Sequence, residues 1–142
     1  MSAPRLSILA LALAGVAACY TSPPLDAFPP ARKAGGIYAA MHMMDGRRFG
    51  AELLTVNDTA YVLSWDQYVG VARYTDVKQA DLEGIGYLHE WAKTKPPREA
   101  LYRARLMSRF PYGIPDTALK QLLAVKQQAA VANFAVFSPP RQ

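Results

Sequence analysis

The chain has 142 residues, 16 lysines and arginines against 11 acidic residues for a net charge of +5, and 51% hydrophobic residues. A single cysteine excludes an internal disulfide, and with only two histidines no zinc-spaced His/Cys cluster is present. The length suits one small domain that stabilises itself through its core, and the absence of an internal repeat excludes a solenoid.

The first element is Leu6–Ala18, 13 uncharged residues after Arg5. As a helix it reaches about 20 Å, short of the roughly 30 Å needed to cross a bilayer, so it reads as a signal-peptide core. The run Val16-Ala17-Ala18-Cys19 closes it and resembles the lipobox of bacterial lipoproteins. That resemblance implies removal of residues 1–18 and acylation of Cys19, which places the chain in the cell envelope, held to a membrane without spanning it. Tyr20 in place of an aspartate leans towards the outer membrane, facing the periplasm. The alternative is an ordinary secretory signal cut after Ala18, leaving a free thiol. Residues 19–36 then form the lipidated cysteine and a proline-rich tether, with Pro23, Pro24, Pro29 and Pro30 favouring extended conformations before Gly35-Gly36.

A single globular domain is expected over 37–137, mainly β over 37–90 and mainly α over 96–131, with a tail at 138–142. Asp45-Gly46 signals a two-residue type I′ hairpin between strands Ile37–Met44 and Arg47–Val56. A turn at Asn57-Asp58-Thr59 leads to a strand at Ala60–Trp65. Asp66-Gln67 then turns into Tyr68–Tyr74, and a short fifth strand is expected near Ala80–Tyr87. Consecutive short strands with tight turns predict an antiparallel meander that curls or closes. Pro97 opens a helix over Arg98–Phe110, and Asp116 or Thr117 caps a second one running to about Ala130. The fold class is thus α+β: a small curled sheet or barrel followed by two C-terminal helices. In the second helix Gln127 and Gln128 point away from the apolar face and Lys126 falls inside it. The segment Asn133–Phe137 adds an edge strand or docks its phenylalanines.

Residues 45–63, from Asp45-Gly46-Arg47-Arg48-Phe49-Gly50 through Asn57-Asp58 to Val62-Leu63, resemble the first motif of Sm-like, SH3-like small β-barrels. The resemblance implies the fold but not RNA binding. The asparagine that follows the motif's aspartate in that family is absent from Thr59–Val62, and the arginine-glycine pair is absent around Val71–Val77. No nucleic-acid partner is expected.

Catalysis has no visible carrier. There is no nucleophile elbow or phosphate-cradling glycine loop, and His89-Glu90 lacks the second histidine of a zincin helix. No enzyme and no cofactor are expected, and an enzyme of unknown class ranks last. The charge is divided: six basic against nine acidic residues over Tyr20–Trp91, then eight basic against only Glu99 and Asp116 over Lys93–Lys126. Within the basic third, Arg98, Tyr102, Arg105 and Arg109 fall on one helical stripe, beside an Arg103 that can pair with Glu99. Such a stripe suits phosphate or carboxylate and points to a binding or structural module that contacts an anionic lipid, an anionic polymer or an envelope protein. The alternative is soft-metal, copper-type binding through Met41, His42, Met43 and Met44. Thioether and imidazole favour Cu(I), but strand alternation turns Met41 and Met43 away from His42 and Met44.

Overall fold

The structure, a computed structural model, describes residues 36–89 and 95–137, with the backbone alone at 87–89. The expectations for residues 1–18, Cys19, the tether before Gly36 and the tail 138–142 concern residues outside that range. The described chain is α+β. Its strands are β1 (Ile37–Met43), β2 (Arg48–Val56), β3 (Ala60–Trp65), β4 (Tyr68–Arg73), β5 (Val77–Leu82), β6 (Gly86–His89) and the two-residue β7 (Ala132–Asn133). They form one curled sheet in the order β6-β5-β1-β2-β3-β4-β7, antiparallel except where β7 runs parallel to β4. Two helices follow β6, α1 (Arg98–Met107) and α2 (Asp116–Val125).

Strand alternation divides the side chains between two faces. Ile37, Ala39, Met41 and Met43 of β1 join Phe49, Ala51 and Leu53 of β2 in an inner core that also takes Tyr61, Leu63, Tyr74, Val77 and Leu82. The outer face of β2–β4 carries a second cluster, in which Leu54, Val62 and Val69 pack against Phe110, Ala118 and Leu122 from α2 and the segment before it. A bulge in β2 between Leu53 and Thr55 makes this possible. There the Arg109 and Phe110 amides donate to the carbonyls of Leu53 and Leu54, at 3.3 and 2.8 Å, and Thr55 Oγ1 donates to the Phe110 carbonyl at 2.9 Å.

Several turns differ from their sequence signals. The β1–β2 connection is a three-residue loop, not a two-residue type I′ turn. Met43 pairs with Arg47, Gly46 N–H donates to the Met43 carbonyl at 3.1 Å, and Gly46 takes positive φ while Asp45 does not. The Asp45 carboxylate accepts from Arg47 N at 3.0 Å and from Arg47 Nε at 2.6 Å. The backbone N–H is the main reason its pKa is depressed. Asp45 therefore supports the fold fully above the ordinary carboxylate range, and that support is lost as pH falls through the depressed value. The single strand expected near Ala80–Tyr87 is two, β5 and β6, because Gly84 and Gly86 supply the positive φ of an intervening turn.

The C-terminal segment does both things expected of it: β7 extends the sheet at β4, and Phe134 fills the inner core. Phe134 packs where Gly70 has no side chain and meets Phe49 and Trp65 edge-on, each at 5.6 Å between centroids. Arg47 fastens the segment by donating to the carbonyls of Phe134 at 2.6 Å, Phe137 at 2.8 Å and Ala135 at 3.0 Å. Gln128 does not point away. Its amide accepts from Val69 N at 2.8 Å and donates to Val69 O at 2.7 Å, continuing the ladder along β4 just before β7 takes over. Replacing Phe134 by alanine should therefore cost about 3–5 kcal/mol in chemical denaturation. Val136→Ala, at an exposed position two residues on, should stay within about 0.5 kcal/mol.

Candidate functional site

The two helices are shorter than the apolar periodicity suggested. Leu101 and Ala104 turn α1 onto the inner core, so 100° per residue leaves Arg98, Tyr102 and Arg105 facing outward. The helix stops at Met107, where Ser108 is extended and its hydroxyl donates to the Arg105 carbonyl at 2.6 Å. α2 stops at Val125, with Gln127 left-handed, so Ala129 and Ala130 lie beyond it and are exposed. The position of Lys126 settles with it. Its ammonium donates to the Asp66 carbonyl and fixes the left-handed residue of the β3–β4 turn, while partial burial lowers its pKa.

Three of the four stripe residues come together. Arg98, Tyr102 and Arg105 line a groove of about 570 Å³ with Lys95, Pro96, Leu101 and Asp58. Tyr102 and Arg105 also line a second concavity of about 490 Å³, shared with Asn57, Leu106 and Tyr112. Arg105 Nε donates to the Val56 carbonyl at 3.2 Å, which orients its guanidinium at the end of β2. Asn57 Oδ1 accepts from the Thr59 and Ala60 amides at 2.9 and 2.7 Å, and this holds the opposite wall. The Asp58 carboxylate stands 3.7 Å from Lys95 Nζ; both are well exposed, so their pairing is weak. Tyr102 and Tyr112 are 60% and 95% exposed, a large apolar area to leave in water beside three cations.

Arg109 is not part of this surface. The helix has ended before it, and it is 4% exposed, with Nε on the Glu52 carboxylate across the β2 bulge. A signal for this was present. Phe110 precedes Pro111, which disfavours helical geometry at that residue, so a helix through Phe110 was unfavourable from the outset. Glu99 and Arg103 form no ion pair among the described residues. Lys95, Asp58 and Tyr112 are the residues that the stripe did not suggest. Tyr112 sits between two helix breakers, Pro111 and Gly113, a position that presents its ring outward.

The methionine run is split between the faces. Met41 and Met43 are buried in the inner core, His42 lies on the outer face, and Met44 is exposed in the hairpin loop, so Met41 and Met43 cannot share a ligand with His42. Desolvation, and then the charges of Arg48 and Lys78, lower the His42 pKa. Among the described residues no three His, Cys, Asp or Glu side chains gather to hold a metal ion. The aromatics of the inner core serve packing. Trp65 stacks on Phe49 at 4.1 Å, Tyr61 meets Tyr74 edge-on at 5.0 Å, and burial raises the pKa of both tyrosines. Among the described residues no helix is long and apolar enough to cross a membrane.

The division between buried and exposed arginines has a measurable consequence. Arg109→Ala leaves Glu52 without its main counter-charge and should cost about 3–5 kcal/mol in denaturant unfolding, whereas Arg98→Ala should stay within about 0.5 kcal/mol. No family model, curated protein or solved structure matches the chain.

Proposed function

We propose that this chain is an envelope lipoprotein, tethered through acylated Cys19, whose domain is a binding module that docks an anionic surface through α1. The observation that carries this reading is the grouping of Arg98, Tyr102 and Arg105 with Lys95 along one groove, flanked by Tyr112, the most exposed tyrosine among the described residues. Cations near an anionic bilayer contribute about 1 kcal/mol each, and tyrosines favour the headgroup level. Such a contact is weak for a free protein. A tether of 17 residues, Tyr20–Gly36, extends at most about 60 Å and holds the domain at high effective concentration, where weak contact suffices. The lipobox supports the address and the charge asymmetry supports the partner. An anionic envelope polymer would use the same cations.

We read β1–β5 as an SH3-like barrel that β6 and the helices extend. What supports this is the strand order β5-β1-β2-β3-β4 and the 3-10 turn at Tyr74–Asp76 between β4 and β5.

Two experiments test the proposal. Intact mass of the chain purified from its native membrane should show loss of residues 1–18 and acyl chains on Cys19; a mass retaining Met1 or an unmodified thiol refutes the anchor. The chain lacking residues 1–19 should sediment with phosphatidylglycerol vesicles and not with phosphatidylcholine vesicles. Arg98→Ala and Arg105→Ala should each weaken that binding about fivefold. Equal sedimentation of the double variant and the parent refutes α1 as the docking face.

A further inference from the structure

α2 covers the outer face of β2–β4 but leaves the outer face of β5-β1-β2 open. Strand register lays out that open face as three rows across the strands. His42 stands between Gln79 and Arg48, Ala40 between Asp81 and Gly50, and Tyr38 beside Glu52. At about 3.3 Å per residue the outer rows lie roughly 13 Å apart, with two of the smallest side chains possible between them. The result is a trough of about 450 Å³ with an aromatic wall, a polar and cationic wall, and a floor of Ala40 and Gly50.

Glycine and alanine are poor strand formers, and pairing them at the centre of a sheet sacrifices stability unless something else needs the space. Part of that need is internal. The hydroxyl end of Tyr38 occupies the position a side chain at Gly50 would take, so the ring leans across β2 and still keeps 55% of its surface exposed. The opposite wall carries unneutralised charge. Arg48 lines it and makes no ion pair among the described residues, Lys78 outside the lining adds to the positive potential at His42, and of the nearby carboxylates Asp81 lines the trough without an ion pair while Glu52 is engaged by Arg109.

We propose that this trough binds an acidic saccharide, with a pyranose ring against Tyr38 and its carboxylate on Arg48. An aromatic face suits the C–H face of a sugar ring. Asp81 and Gln79 offer the acceptors and the donor that hydroxyl groups need, and the volume suits a disaccharide. Other occupants fit less well. A peptide strand would need free ladder groups, but β1 is paired on both sides by β2 and β5. A lipid tail would find little apolar lining, and a bare anion would leave the tyrosine wall unused. The trough shares no residue with the α1 groove, so this inference stands apart from the anionic-surface reading.

The test titrates the full-length chain, in a detergent without a sugar headgroup, with a glucuronate-containing disaccharide, its neutral glucose counterpart and inorganic phosphate, following backbone amide shifts. The acidic disaccharide should saturate shifts at Ala40 and Gly50. The neutral one should bind about tenfold more weakly or worse, the worth of a charge-assisted hydrogen bond. Arg48→Gln should bring the acidic sugar down to the neutral one's affinity. Tyr38→Leu should weaken both three- to tenfold, about the range for an aromatic contact. Both positions are exposed, and amide shifts elsewhere in each variant should match the parent, showing that the fold is kept. The proposal is overturned by the absence of saturable shifts at Ala40 and Gly50, by phosphate matching the acidic disaccharide at those amides, or by shifts confined to α1.

Discussion

The constraint on which this fold depends is that a small curled sheet has more apolar inner face than it can cover itself. Both ends of that face are stoppered by segments outside the meander. Leu101 and Ala104 of α1 join the core beside Val56 and Tyr61, and Phe134 and Phe137 pack with Phe49, Trp65 and Tyr68. The second stopper is held by polar bonds as well as by packing. Arg47 spends its guanidinium on three consecutive-segment carbonyls, at sequence separations of 87–90 residues. A turn docked against a sheet must have its carbonyls satisfied, and a fork of N–H donors at the hairpin does that without adding another strand. The first hairpin and the end of the chain are therefore parts of one unit, and the meander alone lacks a complete core.

β2 is the strand on which the two faces are organised. Strand alternation places Leu53 in the inner core and Leu54 in the outer cluster, the bulge after Leu53 returns Val56 to the inner core, and the carbonyls of Leu53 and Leu54 accept from the segment leaving α1. That segment must leave helical geometry to donate its amides to them, which ends the helix at Met107 and carries Arg109 to Glu52. The same event sorts the arginines. Those before the break remain on an exposed helical face, and the one after it becomes part of the interior. A buried charge pair with two hydrogen-bonded neighbours in the backbone positions the crossing from the inner face to the outer one, a role of specificity rather than of large net stability.

The parts of this architecture visible in the sequence are those set by local chemistry. β1 to β4 follow from period-two alternation and turn residues, and the bounds of β3 match the run Ala60–Trp65. What was not visible depends on partners distant in sequence. The helix of Arg98 was readable, and Phe110-Pro111 marked that it could not run through Phe110, but the stop at Met107 was not readable, because the carbonyls that pull Arg109 and Phe110 out of helical geometry lie 56 residues earlier, at a bulge. Gln128 looked like a solvated residue because its function is to complete a ladder whose edge no local pattern reveals. In the candidate groove, Arg98, Tyr102 and Arg105 were legible as a helical stripe. Asp58 and Lys95 were not, since only the tertiary packing of α1 beside the β2–β3 turn brings them there.

The same buried pair governs where the described chain begins its first strand. Gly36 is buried with a left-handed φ of 67°, and any side chain there would collide with the Glu52 carboxylate that Arg109 holds. The chain therefore enters β1 at one defined place, against the residue that also receives the end of α1. Glu52 thus receives Gly36 from one side and Arg109 from the other, so the start of β1 and the segment that follows α1 meet on one carboxylate. Loss of the Arg109–Glu52 contact would free both together, which couples the entry of the chain into the sheet to the crossing from the inner face to the outer one.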